Sequence, residues 1–184
     1  MKEKGFTIIE ILVVVAIVSI LPLIVISNFP QIKLQFAMLR VTYKFAQDLR
    51  RVQDLALSSV QYRDAFGVIQ PIDGYGIYLN IDILGNKKYI IYADKSPGNQ
   101  YYDDLDYIID TIDFSQTEPG IIIQQLNNVF GNSVSINFNP PNPNTTITQL
   151  NQDEQNIEAV FSQENAPVIT KIISVNTAGL IEIK

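Results

Sequence analysis

The chain has 184 residues, 13 basic against 19 acidic side chains, and neither Cys nor His. These counts exclude disulfides, catalytic relays that need Cys or His, and the zinc, iron–sulfur and haem sites that those residues ligate. The formal net charge of -6 gives no reason to expect nucleic acid as a main partner. Any special chemistry must use carboxylates, Lys, Tyr or hydroxyl groups.

The N-terminal segment is far more apolar than the rest. Residues 8–26 read IIEILVVVAIVSILPLIVI, with a single charged side chain. A helix of this length measures about 28 Å, close to the roughly 30 Å hydrocarbon core of a bilayer. The segment therefore predicts a single-pass membrane helix, and Lys2 and Lys4 before it place the N-terminus in the cytoplasm and the head outside. A removed secretory signal is the alternative, but no small-residue cleavage site follows the apolar run.

Glu10 is the one charge inside this apolar run. An acidic side chain at depth in a bilayer costs roughly 2.5 to 3.5 kcal/mol on insertion scales, so we expect it to have a partner in the working state. The alternative is that Glu10 reaches the polar interface from a shallow position.

The string GFTIIE at residues 5–10, between a basic leader and a long apolar helix, resembles the cleavage and methylation signal of type IV pilins and type II secretion pseudopilins. The resemblance implies that prepilin peptidase cuts the leader, residues 1–5, between Gly5 and Phe6 and methylates Phe6. It implies that Glu10 pairs with the N-terminal amine of a neighbouring subunit. The implied partners are other pilin or pseudopilin subunits and an inner-membrane assembly platform, and the implied role is structural, with no enzyme activity.

After Pro30 the pattern becomes amphipathic. Apolar residues recur every three or four positions, which indicates one face of a helix that packs on a head domain; they are Met38, Val41, Phe45, Leu49, Val52 and Ala56. The opposite face carries Arg40, Lys44, Gln47, Arg50, Arg51 and Gln53. We expect one helix to about residue 60, with residues 6–29 as its transmembrane and assembly half and residues 30–63 as its amphipathic half.

Residues 64–184 predict an antiparallel β-rich head, which makes the fold α+β. Short β-branched and aromatic segments indicate strands at residues 76–81, 88–93, 107–111, 120–124, 133–138, 157–161, 170–175 and 180–184. Turn residues at 84–87 and 176–179 predict two hairpins. The order of these segments resembles the minor pseudopilins of the general secretion pathway protein H and FimT type.

The best metal candidate in the head is the loop at residues 94–106, which contains Pro and Gly. Its carboxylate and amide oxygens are the ligands that Ca²⁺ prefers, and the candidate ligands are Asp94, Asn99, Asp103, Asp104 and Asp106. Their spacing does not match an EF-hand loop, and an ordinary acidic surface loop is the alternative. Calcium is the one cofactor that the sequence suggests.

Two functions follow from these patterns. The first is a structural subunit of a type IV pilus or a type II secretion pseudopilus. The alternative is a membrane-tethered binding module that does not polymerise and whose acidic extracytoplasmic head binds a ligand, with calcium as the candidate.

Overall fold

The computed structural model describes residues 5–140 and 144–184, and within these ranges the side chains of residues 23–28, 144 and 166–168 are not described. Backbone contacts divide the chain into two compact units, one ending at Phe36 and the other beginning at Ala37. The leader residues 1–4 lie outside the described residues.

Helix α1 spans Ile8–Leu57, and both Pro22 and Pro30 lie inside it. Its end agrees with the expected boundary near residue 60. In the first unit the described apolar side chains from Ile8 to Leu21 are all about half exposed or more. The predicted membrane segment, residues 8–26, extends into residues 23–28, whose side chains lie outside the description. In the part of the chain that the structure describes, no helix is both long enough and apolar enough to cross a membrane.

The second unit buries one face of α1, as the spacing predicted. All six apolar residues of the predicted face are buried, with Phe45, Leu49 and Val52 completely enclosed. The residues of the opposite face are exposed apart from the half-buried Gln53. Spacing by three and four places these side chains on one stripe, and the burial of that stripe anchors the helix on the sheets.

The described residues of the head form eleven strands, all paired antiparallel. They are β1 (Tyr62–Arg63), β2 (Ile69–Gln70), β3 (Ile72–Asn80), β4 (Lys88–Lys95), β5 (Tyr107–Asp113), β6 (Ile121–Asn127), β7 (Ser133–Asn139), β8 (Asn144–Ile147), β9 (Asn156–Gln163), β10 (Ala166–Asn176) and β11 (Ile181–Ile183). The predicted α+β class with a β-rich antiparallel head is confirmed, and so are both predicted hairpins, β3–β4 and β10–β11.

The strands form a two-stranded β1–β2 hairpin, a five-stranded sheet of order β5-β4-β3-β7-β8 and a four-stranded sheet of order β11-β10-β9-β6. In the five-stranded sheet, Tyr75, Ile91 and Phe138 belong to the hydrophobic core that also contains the buried face of α1. Because side chains alternate along a strand, the neighbouring positions of these strands point to the other face of the sheet. We call that the outer face.

Two features of the head are absent from the sequence prediction. The β1–β2 hairpin has strands of only two residues, too short for a period-two pattern to be recognised. Strand β8 is rich in Asn and Thr, residues with little apolar signal. It is nevertheless held by pairing, with Thr145 opposite Phe138 and Ile147 opposite Ile136.

Candidate functional site

The first candidate site is the start of α1. Residues 5–7 precede the helix and are not helical. The Glu10 carboxylate Oε2 accepts hydrogen bonds from the Thr7 backbone N–H at 2.7 Å and from the Thr7 hydroxyl at 2.8 Å. The Glu10 N–H donates in return to Thr7 Oγ1 at 3.3 Å. This reciprocal pattern is a capping box, which satisfies backbone N–H groups that have no partner within the helix.

The capping box gives Glu10 a role within its own chain that the sequence prediction missed. The signal was present, because Thr followed three residues later by Glu at the start of an apolar run is the signature of this motif. The predicted cleavage site, the Gly5–Phe6 bond, lies before the cap, in the non-helical segment.

The apolar side chains around Glu10 have little cover within their own unit. Phe6 and Ile8 are each 86% exposed, and Ile9 is 65% exposed. A helix this apolar is normally covered by other protein or by lipid. We therefore expect protein or lipid to cover the surface that surrounds Glu10.

The second candidate site is the acidic segment between β4 and β5. Residues 96–106 lie against the outer face of the five-stranded sheet, where the Tyr102 ring stacks on Tyr78 with ring centroids 4.7 Å apart and meets the edge of Tyr92 at 5.3 Å. The Tyr102 N–H donates to Ser135 Oγ at 3.0 Å. This cover leaves Asp94, on β4, only 1% exposed.

Four of the five predicted calcium ligands hold this loop together through hydrogen bonds. Asp94 Oδ2 accepts from the Gln100 N–H at 3.0 Å. Asp103 accepts from the Asn99 amide at 2.6 Å, and Asp106 accepts from the Asp103 N–H at 3.0 Å. The fifth, Asp104, is exposed.

Burial and neighbouring negative charges raise the pKa of two of these acids. Removal from water raises the pKa of Asp94, and the charge of Asp106 raises it further, whereas the hydrogen bonds from Gln100 and Asn137 oppose the change. Burial likewise raises the pKa of Asp106, against hydrogen bonds from the Lys95 and Asp103 amides. Within residues 5–140 and 144–184, no three acidic side chains are grouped as a metal site. Calcium binding by the five loop residues stays a prediction.

Sequence analysis did not assign Asn137 and Asn139 on β7. The Asn137 amide donates to Asp94 Oδ2 at 2.9 Å across the outer face, and Asn137 is fully buried. The alternation of Asn137 with Asn139 in a β-pattern places both on one face of the strand. The contact between Asn137 and Asp94 depends on the strand order β4-β3-β7, which the sequence does not reveal.

Comparison with known proteins locates one match in the chain. Residues 1–26 match the family model described as the prokaryotic N-terminal methylation motif. No curated protein and no solved structure matches the chain. The match covers Gly5, Phe6 and Glu10 but does not reach the head, whose resemblance to the protein H and FimT type is not confirmed.

Proposed function

We propose that this chain is the precursor of a structural subunit of a type IV pilus or a type II secretion pseudopilus. The methylation motif at residues 1–26 supports a pilin-type precursor. The observation that carries the proposal is that this motif opens a helix whose apolar side chains have little cover in their own unit. In the full proposal the head is that of a minor pseudopilin of the protein H and FimT type.

In this proposal the precursor is first inserted in a membrane. Lys2 and Lys4 remain in the cytoplasm, residues 8–26 cross the bilayer and the head lies outside the cytoplasm. Prepilin peptidase then cuts between Gly5 and Phe6 and methylates the new amine of Phe6. The inner-membrane assembly platform transfers the processed chain into a filament of pilin or pseudopilin subunits.

Assembly in this proposal uses the charge of Glu10. A carboxylate in an apolar layer is strongly disfavoured unless a cation reaches it at the same depth. The amine of Phe6 on an adjacent subunit is such a cation once Gly5 has been removed. Because a misplaced subunit would leave both charges unpaired in hydrocarbon, the pair selects one axial register between neighbouring helices.

The capping box remains compatible with this use of Glu10. All its atoms belong to Thr7 and Glu10, so removal of residues 1–5 leaves it intact. Both bonds to the carboxylate use Oε2. A carboxylate accepts several hydrogen bonds at once, so the cap and an intersubunit ion pair can coexist.

The test separates the charge of Glu10 from its hydrogen bonds. Glu10→Gln keeps an acceptor for the Thr7 N–H but has no charge, and Gln is tolerated at this position of a capping box. In a host with the assembly machinery, intact mass should show loss of residues 1–5 and one added methyl group in both wild type and variant. Incorporation into filaments should fall by about a hundredfold, since removing one member of a buried ion pair costs about 3 kcal/mol or more.

The matched control is Thr7→Val, which removes the capping hydroxyl and keeps the charge. We expect it to be processed and to enter filaments. Normal incorporation of Glu10→Gln would contradict the role of the charge, and a mature protein that retains residues 1–5 would contradict the proposed function as a whole.

The second candidate is a membrane-tethered binding module that does not polymerise. The observation in its favour is the enclosed carboxylate of Asp94 under the loop at residues 96–106, whose Oδ1 has no hydrogen-bond partner among the described residues. The mass measurement distinguishes the two candidates, because an unprocessed N-terminus favours the tethered module.

A further inference from the structure

The outer face of the five-stranded sheet contains an enclosed group of oxygen atoms. Asp94 on β4 and Asn137 on β7 are 1% and 0% exposed, and Asn139 lies two positions further along β7. Between these strands runs β3, with Gly74 paired to Asp94. The loop at residues 96–106 covers this part of the sheet through the Tyr102 contacts described above.

Three of the oxygens in this group are unpaired. Asp94 Oδ1, Asn137 Oδ1 and Asn139 Oδ1 are each buried and accept no hydrogen bond from any described residue. Buried oxygens of this kind are normally satisfied by a donor, a water molecule or a cation. Three of them on β4 and β7, the two strands that flank β3, therefore point to a ligand that is positively charged or donates protons.

Two glycines let these oxygens approach the backbone closely. A Cβ at Gly74 would lie 2.9 Å from Asn137 Oδ1 and still closer to Asn139 Oδ1, so both amide oxygens lie directly over that glycine. A Cβ at Gly98, in the loop, would lie 2.8 Å from Asp94 Oδ1. Any side chain at either position would collide with the unpaired oxygens and displace them.

The charged groups near these oxygens are acidic. Asp106 acts on Asp94 as a like charge, and Asp73 accepts a hydrogen bond from the Gly98 N–H on the loop. Among the described residues, no Lys or Arg forms a salt bridge with Asp94. A buried carboxylate without a counter-charge is strongly disfavoured.

A proton and a metal ion would satisfy different numbers of these three oxygens. A proton on Asp94 Oδ1 could be donated to one of the two amide oxygens and would leave the other unpaired. A cation between the three residues would satisfy all three oxygens and compensate the carboxylate. Carboxylate and amide oxygens without any nitrogen or sulfur ligand match a hard cation, and Ca²⁺ accepts such flexible oxygen sets.

We propose that Asp94, Asn137 and Asn139 bind a divalent cation of the Ca²⁺ type beneath the β4–β5 loop. This site shares only Asp94 with the set expected from the sequence, since Asn99, Asp103 and Asp106 are engaged in hydrogen bonds within the loop. The ion would connect β4 to β7 across Gly74 and hold the loop against the sheet. The inference concerns the head alone and is independent of filament assembly.

The test uses Tb³⁺, a luminescent substitute for Ca²⁺, with the full-length protein in detergent micelles. Tyr92 and Tyr102 lie on the same face of the sheet as Asp94 and should transfer excitation energy to a bound ion. We expect tyrosine-sensitised Tb³⁺ luminescence that Ca²⁺ displaces, and a melting temperature that is higher with Ca²⁺ than with chelator. Asp94→Asn and Asn139→Ala should each weaken Tb³⁺ binding by about tenfold or more, as expected when one ligand of a small set is lost.

The matched control is Asp104→Asn, which removes an exposed acid of the same loop and should leave Tb³⁺ binding unchanged. Circular dichroism of each variant checks that the head is folded, and Asn139→Ala, at a partly buried position, provides a second variant if Asp94→Asn fails to fold. An equal loss in Asp104→Asn would place the ion in the loop and overturn the proposal. Wild-type protein that shows neither luminescence nor a calcium-dependent melting temperature would overturn it as well.

Discussion

A buried polar contact joins α1 to the five-stranded sheet. The Tyr89 hydroxyl donates to Asp48 Oδ2 at 2.6 Å, and Lys44 Nζ contacts Asp48 Oδ1 at 2.6 Å. Tyr89 is 1% exposed and Asp48 is 3% exposed. Burial, followed by the bond to Asp48, raises the pKa of Tyr89 far above its ordinary value, so its hydroxyl remains a donor throughout the physiological range.

Tyr89→Phe should lower the free energy of unfolding of the head by about 1 to 3 kcal/mol, because it removes one hydrogen bond to a charged, buried acceptor. The measurement is denaturant unfolding of the full-length protein in detergent micelles. Tyr43→Phe is the matched control, since Tyr43 lies on the same helix and is 53% exposed, and it should leave the midpoint unchanged. Equal effects of the two substitutions would contradict the role assigned to the contact.

At the scale of an element, the β1–β2 hairpin depends on one carboxylate. Asp64 accepts hydrogen bonds from the Phe66 and Val68 N–H groups, each at 2.9 Å, and from the Gln70 side-chain amide at 2.7 Å. The bonds from Val68 and Gln70 are the main reasons that the pKa of Asp64 is lowered. Because each strand has two residues, these side-chain bonds supplement a very short backbone ladder.

Asp64→Ala should therefore speed hydrogen exchange at Phe66 and Val68 while β3 and β4 keep their protection. In acid, the same two amides of the wild-type hairpin should also lose protection. A lowered pKa in the folded state means that the carboxylate stabilises the hairpin above its ordinary pKa of 3.8 and loses this effect as pH falls through the lowered value. Exchange measured by mass spectrometry tests both, with the exposed Asp110→Ala as control. Unchanged exchange in Asp64→Ala would contradict this account.

The elements differ in how far the sequence predicted them. The buried face of α1 followed from spacing alone, since Phe45, Leu49 and Val52 recur at helical intervals. Strands such as β4 followed from β-branched and aromatic runs. Strand β8 did not, because its stability comes from pairing with β7 and not from its own residue types.

The candidate sites show the same division. Gly5, Phe6 and Glu10 are adjacent in sequence, so a local motif identified them. The meeting of Asp94 with Asn137 depends on two strand pairings, β3 with β4 and β3 with β7, that join residues far apart in the chain. Such long-range register is a property of the folded sheet, and no local pattern encodes it.

At the scale of the head as a whole, Phe45 connects both large sheets. Its ring lies 5.0 Å from the Tyr89 ring on β4 and 5.5 Å from the Phe161 ring on β9, measured between centroids. It is completely buried. The helix thus supplies an aromatic centre that the two sheets share.

Phe45→Ala should lower the free energy of unfolding of the head by about 3 to 5 kcal/mol, because it leaves a cavity between the Tyr89 and Phe161 rings. The control is Phe36→Ala, at a position that is 57% exposed and belongs to the first unit, which should leave head unfolding unchanged. Denaturant unfolding followed by near-ultraviolet circular dichroism reports the transition. A loss below about 1 kcal/mol for Phe45→Ala would show that the surrounding side chains can fill the space.

Charge is also unevenly distributed over the molecule. Residues 33–63 carry six basic and two acidic side chains, net +4, whereas residues 64–184 carry five basic and fifteen acidic, net -10. Some of the positive charges of residues 33–63 are paired within the chain, because Arg40 Nη2 donates to Glu118 at 2.8 Å and Lys44 pairs with Asp48. Arg50 and Arg51 remain exposed. In the proposed filament, these two side chains would attract the acidic head of a neighbouring subunit.

The capping box at the start of α1 has a consequence for proteolysis. A peptide bond is most readily cut where its backbone lies outside regular hydrogen-bonded structure. The helix begins at Ile8, after the capping residue Thr7, so the Gly5–Phe6 bond lies in the non-helical segment before it. In the proposed processing, the peptidase would therefore act on backbone outside the helix, and the first turn of the mature helix would start two residues after the new N-terminus at Phe6.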